Sequence, residues 1–387
     1  MARARAFGAS CVVLLCLLNC PSPMVATVRA SSIIAVDPPT VTAKAVYAID
    51  VTSGVELLAD HADDRRSPAS TTKVASAIVV VDNVADLQQQ VAIEEADVAP
   101  LAADESRMGL QVGDVLTVRQ LLDGMLVQSG SDATYAAARI TGNALIAAGA
   151  GESDPIAAFV AAMNGLAARL KLPNTHFTNP VGVDQDDHYS SARDLARLGQ
   201  EALTRPVLVD IVAQQSVQTT IDGPNRREVT LVNTNELLDG GAITGIKTGS
   251  TSGAGACLIL AKTEHGTNLV ITVVLGSNLT YDDQGFIAED ERWDDTNAVL
   301  KAIEQHVRWV SPDDPKAVPG LREEMAAWQV VLKDESSIVV PANGIKSLHY
   351  LLQLGPAGKP NTAVGHVLFF VGSEQIAELP VYQAAVS

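Results

Sequence analysis

Two short apolar runs, 45–50 and 55–59, are joined by Thr52-Ser53-Gly54, the pattern of a β-hairpin. Beyond Pro68, which breaks the extended chain, residues from about Ser70 to Val81 are small and apolar nearly all round, which predicts a buried helix. Residues 84–116 are mixed and acidic, with few strong signals. Helical periodicity returns over 118–127 through Leu121, Leu122, Met125 and Leu126, and stops at Gln128-Ser129-Gly130. A second helix should start at once, with Ser131 and Asp132 as capping residues and helix formers over 133–140. Further helices are expected at 155–170 and 192–203, separated by an irregular stretch over 174–190 with a turn at Asn179-Pro180. A hairpin of 217–221 and 228–232 around Gly223-Pro224-Asn225 follows. Then come strands 243–248, 256–261 and 269–275, and a helix from about 291 to 309.

Strands therefore lie at both ends of this region with helices inserted between. Consecutive hairpins imply a mainly antiparallel sheet and an α+β fold rather than a doubly wound one. Pro312, Pro315, Pro319 and Gly320 mark a boundary. Beyond it, short strands at 329–332, 337–340 and 366–371 predict a small all-β domain. The expected division is 1–30 as a signal segment, 31–311 as the main domain and 312–387 as the β-rich one.

Composition narrows the function. The 387 residues carry 27 basic and 45 acidic side chains, a net charge of −18, which argues against nucleic acid and against charge-driven docking on an anionic membrane. The first thirty residues read as an export signal: Arg3 and Arg5, an apolar core from Cys11 to Leu18, and Val28-Arg29-Ala30 as the cleavage site. Leu17-Leu18-Asn19-Cys20 offers the alternative of a lipid anchor, although Asn19 is bulky for that role. Cleavage would remove three arginines and no acids, moving the charge from −18 to −21. It would also remove Cys11, Cys16 and Cys20, leaving Cys257, in an apolar run, as a small core residue. The last residues, 381–387, have neither the length nor the basic face of a membrane-surface helix, so any membrane attachment falls to the N-terminal segment.

On a helix Ser70 and Lys73 share a face, and a hydroxyl beside an amine on a buried face is the minimum of an activated nucleophile. Ser-x-x-Lys alone is weak evidence. Two later stretches raise its value: Ser129-Gly130-Ser131 at a helix break, and Gly245-Ile246-Lys247-Thr248-Gly249-Ser250, where a strand ends in a cation, a hydroxyl and a glycine. The seven histidines are scattered without metal-ligand spacing, so no metal or other cofactor is expected. Gly240 to Thr248 nearly spells a phosphate-binding loop, but Ile246 separates the glycine from the lysine.

With Arg66-x-Pro68-Ala69-Ser70-Thr71-Thr72-Lys73, Asn179-Pro180-x-Gly182, His188-Tyr189-Ser190, Asn233-Thr234-Asn235 and Gly245 to Gly249, the chain resembles the serine D-Ala-D-Ala carboxypeptidases, the low-molecular-mass penicillin-binding proteins. The resemblance runs from about Ala45 to Trp309, with a weaker likeness of Gly365 to Val381 to that family's β-rich stalk domain. It implies the penicillin-recognising serine-enzyme fold, a five-stranded sheet with helices on both faces and an inserted helical region. It also implies peptidoglycan stem peptides as substrates and β-lactams as covalent inhibitors.

The same resemblance implies roles. Ser70 would attack the carbonyl of the penultimate D-alanine, and Lys73 would accept its proton once burial or a cation such as Lys247 lowers its pKa. Ser129 would relay a proton to the leaving D-alanine. Lys247 and Thr248, in the strand that continues through Gly249, would bind the terminal carboxylate. The backbone N–H groups of Ser70 and Ser250 would form the oxyanion hole. Ser131 stands where the family usually has asparagine, and loss of the carboxamide should cost ~1–3 kcal/mol, roughly ten- to hundred-fold in rate. His188 is expected to be a structural hydrogen-bonding residue. Two other functions compete. A β-lactamase of class A would need a Glu-x-x-Leu-Asn segment between Ser131 and Lys247, and there is none. A binding protein of the cell envelope would take up penicillin without turning over peptide.

Overall fold

The computed structural model describes residues 35–99, 101, 105–282, 284, 287–333 and 337–385. The signal-segment and lipid-anchor readings at 1–30 lie outside the described residues. Nine elements build the frame of the main domain up to the last sheet strand. They are β1 (Ala45–Asp50), β2 (Val55–Asp60), α1 (Lys73–Asn83), α2 (Val118–Leu126), α3 (Ser131–Ala147), α4 (Pro155–Arg169), α5 (Ala192–Ala202), β3 (Ile243–Thr251) and β4 (Gly255–Glu264). Then β5 (Asn268–Ser277) completes an antiparallel five-stranded sheet in the order β2-β1-β5-β4-β3. The chain leaves the sheet at β2, builds the helical region, and returns at the far edge with β3. The α+β expectation holds, and so do both hairpins, the second pairing Ser216–Ile221 with Arg227–Val232.

Strand alternation puts two cores on the two faces of this sheet. Tyr47, Ile259, Ile271 and Val273 face one core with Leu195 and Leu198 of α5 and the apolar side of α1. The intervening Val46, Ala48, Leu258, Leu260 and Val274 face the other. There they meet Val299 and Ile303 of α6 (Arg292–His306), which follows the short hairpin β6 (Leu279–Tyr281) and β7 (Ile287–Asp290). The all-round apolar character of α1 matches its position: Lys73 to Val80 are all buried.

Three expectations need correction. The helix expected to run to Trp309 ends at His306, and Val307–Val310 forms a strand, β8, paired antiparallel with β9 (Ile338–Pro341). Val-Arg-Trp-Val has β-branched and aromatic residues that suit a strand once a partner is present, and the partner lies some thirty residues on, out of reach of a local pattern. The helix expected near Ser70 begins instead as a 3-10 turn, Ala69–Thr72, with α-helix only from Lys73. And α3 is capped by Gly130, with Ser131 as its first helical residue. After residue 310, a helix Leu321–Ala327 and a four-stranded antiparallel sheet build the C-terminal region. Its Val367, Phe369 and Val381 join the same core as Val299 and Ile303.

Candidate active site

The 3-10 turn explains how Ser70 and Lys73 meet. Side chains three apart eclipse in a 3-10 helix, so residue 73 comes back over residue 70. The Lys73 ammonium nitrogen lies 2.9 Å from Ser70 Oγ and 2.9 Å from the Val181 carbonyl oxygen. Lys73 is almost wholly buried, and burial pulls its pKa down to about 7, against the opposing pull of Glu105 and Asp132. Lys247, also buried, is held well below the usual lysine range, first by burial and then by repulsion from Lys73 and Arg292. Of the two causes expected to lower the Lys73 pKa, burial and a neighbouring cation, burial is the leading one.

The loop from Asn179 to Asp184 forms one wall. Asn179 Oδ1 accepts hydrogen bonds from the backbone of Val181 and Gly182, and Pro180 O accepts one of 2.6 Å from Ser76 of α1. Gly182 has a φ of +91°, and a Cβ there would fall 1.9 Å from Ala69 O, so the loop reaches the serine turn only because residue 182 is glycine. Buried His188 bridges the same two segments. Its Nδ1 accepts from Thr178 N at 3.1 Å, so in the neutral ring Nε2 carries the hydrogen and donates to Thr72 Oγ1 at 2.9 Å. Burial lowers its pKa to about 4. This is the structural role expected for it.

The opposite wall is β3. A Cβ on Gly249 would come 2.8 Å from Ser70 N and 2.9 Å from Thr71 N, which sets the strand edge directly against the serine turn. Thr248 Oγ1 shares a 2.6 Å hydrogen bond with Thr234 Oγ1, linking the Asn233-Thr234-Asn235 stretch to this strand. The cleft between the walls, ≈ 580 Å³, is lined by Ser70, Ser131 and Ser250 together with Glu105, Asp184 and Tyr281, among others. Ser129 sits in the link before α3 with a φ of +63° and is 4% exposed. The structure thus brings together Ser70 and Lys73 of the serine turn and α1, Ser131 at the start of α3, and Lys247, Thr248, Gly249 and Ser250 of β3, with Ser129 buried in the link before α3.

Several residues of this site escaped the sequence reading. Arg292, at the start of α6, donates to Gly249 O (3.1 Å), Cys257 O (3.2 Å) and Ser250 Oγ (2.8 Å) and is paired with Asp290. In sequence it is one arginine after an acidic run. Asp184 accepts from Ser67 Oγ at 2.5 Å, Thr251 Oγ1 at 2.9 Å and Gly253 N at 3.1 Å, tying both walls together at the mouth. Asp132 was legible only as a helix-start residue. Its carboxylate also accepts from the backbone N–H groups of Met108, Gly109 and Leu110, fixing the segment that carries Glu105 and Ser106.

A sequence profile of the D-alanyl-D-alanine carboxypeptidases matches residues 32–278. The chain is 35% identical over 260 residues to the D-alanyl-D-alanine carboxypeptidase of Streptomyces sp. (strain K15), covering 65% of this chain and 87% of that relative. It is 30% identical over 366 residues to D-alanyl-D-alanine carboxypeptidase DacC of Escherichia coli (strain K12), covering 89% and 84%. Among solved structures, the Streptomyces K15 DD-transpeptidase superposes with a TM-score of 0.61 at 32% identity, over 70% of this chain and 99% of that one. Penicillin binding protein 6B from Escherichia coli superposes with a TM-score of 0.67 at 26% identity, over 92% and 99%.

Proposed function

The chain belongs to the D-alanyl-D-alanine carboxypeptidase family of serine hydrolases, and from that premise we propose that it is exported and trims the terminal D-alanine from peptidoglycan stem pentapeptides through an acyl-ester on Ser70. The observation that carries the reading is the 2.9 Å contact of Ser70 Oγ with a lysine whose pKa lies at about 7. An ordinary lysine, at about 10.4, is almost never free to take a proton at neutral pH. A Lys73 pKa brought down to about 7 makes the neutral amine accessible near neutral pH, which is what a general base needs.

Neutral Lys73 takes the Ser70 proton as Oγ attacks the carbonyl of the penultimate D-alanine. The oxyanion is held by the backbone N–H groups of Ser70 and Ser250, each such donor worth ~3–4 kcal/mol in comparable sites. The peptide bond then breaks, and the leaving amine takes a proton by way of Ser129. Water attacks the ester, returning the hydroxyl to Ser70 and the carboxylate to the shortened peptide. Lys247 and Thr248 bind the terminal carboxylate, and Gly249 lets the peptide lie along the strand edge. An arriving anion beside Lys247 favours its charged form against the burial that opposes it. β-Lactams acylate Ser70 by the same attack and leave slowly.

Residues 31–311 carry this chemistry and 312–387 form the β-rich appendage. No described helix is long and apolar enough to cross a membrane. Release of D-alanine from a D-Ala-D-Ala peptide, abolished in Ser70→Ala, is the expected result; a folded wild-type protein that releases none overturns the reading. Fractionation of producing cells tests export.

A further inference from the structure

The C-terminal sheet leaves one edge open. Its strands β10 (Leu348–Leu354), β11 (Ala363–Val371) and β12 (Glu374–Gln383) lie side by side in that order, followed by Val330–Val331. No other described strand pairs with the far side of β10. Edge strands are ordinarily kept from pairing with other chains by shortness, charge, proline or a bulge. The opposite edge is two residues long, whereas β10 has seven, Leu-His-Tyr-Leu-Leu-Gln-Leu, none of them charged and none proline. Its ladder with β11 is unbroken from Leu348 opposite Val371 to Leu354 opposite Gly365. Tyr350, Leu352 and Leu354 pack against the core that holds Val367 and Phe369, and the Tyr350 hydroxyl donates to Glu324 at 2.8 Å. His349, Leu351 and Gln353 face solvent, Leu351 being 48% exposed.

The backbone of this edge is matched to a second copy of itself. Gly355 N donates to Val364 O at 2.7 Å. Bonded pairs alternate along an antiparallel ladder, so residues 353, 351 and 349 bond inward to β11. Leu348, Tyr350, Leu352 and Leu354 therefore turn their N–H and C=O groups to the open edge. The strand also reads alike in both directions about Leu351: leucine at 348 answers leucine at 354, His349 answers Gln353, and Tyr350 answers Leu352. A second copy laid antiparallel on a twofold axis through Leu351 uses both properties. The outward groups at 348 and 350 meet those at 354 and 352 of the second copy, and the reverse, so every one finds a partner. The two Leu351 side chains meet on the axis. The His349 ring lies on Phe370 with Nδ1 at 3.0 Å from Ser347 O, so in the neutral ring Nε2 is an acceptor open to the Gln353 amide of the second copy. Charge favours the same edge. Copies of a chain with net charge −18 repel each other, and they meet at least cost along a strand that carries no charge.

We propose that β10 joins two copies of the chain into a dimer, with the two C-terminal sheets running on as one across a twofold axis at Leu351. Sedimentation equilibrium of the full chain should show the mass rising from one copy to two over roughly 1–100 µM, the range of a small interface. Leu351→Glu sets two like charges together on the axis and should weaken association by about tenfold or more. A melting temperature equal to that of the wild type at the lowest concentration shows that the variant is folded. Introduced cysteines test the register independently of repulsion. Leu351→Cys brings two thiols together with their Cα atoms about 4.5 Å apart, within disulfide reach, whereas Gln353→Cys faces His349 of the second copy. Oxidation with copper-phenanthroline should join the two introduced cysteines in the first variant and not in the second, the linked peptides being identified by mass spectrometry. A wild type that stays monomeric across this range, a dimer that Leu351→Glu leaves intact, or crosslinking as efficient at 353 as at 351 overturns the proposal.

Discussion

Gly249 of the edge strand lies against Ser70 so closely that a single added carbon would sit 2.8 Å from the Ser70 backbone nitrogen. That nitrogen belongs to the 3-10 turn that carries Ser70, and the residue after Gly249 is Ser250, whose own hydroxyl is fixed by Arg292. The spacing between strand edge and serine turn is therefore set by the absence of one side chain. In the proposed mechanism this spacing sets how far apart the backbone N–H groups of Ser70 and Ser250 stand.

Gly249→Ala should force the strand away from the turn. Overpacking at a tight backbone contact costs ~1–3 kcal/mol, so a fall in melting temperature is expected. The larger effect should be on function, because the donors separate: acylation by labelled penicillin should slow by about a hundredfold. Acylation at the wild-type rate would show that the strand can retreat without cost.

The pH dependence follows from Lys73. Only the neutral amine can accept the Ser70 proton, so acylation should rise with pH through about 7 and level off above it. Glu105 raises the Lys73 pKa, so its removal in Glu105→Gln leaves burial less opposed, and the rising limb should move to lower pH. Rates of penicillin acylation between pH 5 and 9, for both proteins, check the sign; a limb that moves to higher pH contradicts it.

His188 should make the protein acid-sensitive. Its folded pKa, about 4, lies below the model-peptide value of about 6.5, so the unfolded chain binds the extra proton first. This group leaves stability unchanged above about pH 6.5. As pH falls toward 4 it removes up to ~1.4 kcal/mol for each unit. Urea unfolding at pH 7 and pH 4.5 should show the loss, and His188→Gln, which cannot titrate, should show a smaller difference between the two.

Arg292→Lys keeps the charge but loses the fork that reaches Gly249 O and Ser250 Oγ together. We expect kcat/KM for D-alanine release to fall about ten- to hundredfold through loosening of the strand. An unchanged kcat/KM would mean that the charge alone suffices.

Ser131 lines the cleft beside Ser70, where a longer carboxamide could reach the substrate carbonyl. Ser131→Asn should therefore raise the rate of D-alanine release by about ten- to hundredfold if the missing hydrogen bond is the limit on the reaction. A rate equal to that of the wild type would remove Ser131 as a point of weakness.

Much of this protein is legible in its sequence because the signals are local. The helices at 118–126, 155–169 and 192–202 and both hairpins fall within a few residues of their expected bounds, since each rests on periodicity and turn residues inside one segment. Ser70, Lys73 and the Lys247 strand were legible as short strings. What those strings could not contain is distance. That a 3-10 turn rather than an α-helix brings Lys73 onto Ser70, and that burial brings Lys73 to about 7, are decided by Val181, Gly182 and β3 closing around the turn. The strand at 307–310 exists because Ile338–Pro341 is there to pair with it. Arg292, Asp184 and Tyr281 join the site only because the start of α6, the 179–184 loop and the β6–β7 hairpin are carried to the cleft by the fold. A sequence sets which side chains are present and how each segment tends to fold; how deeply a charge is buried and which groups face it come from contacts between segments far apart in the chain.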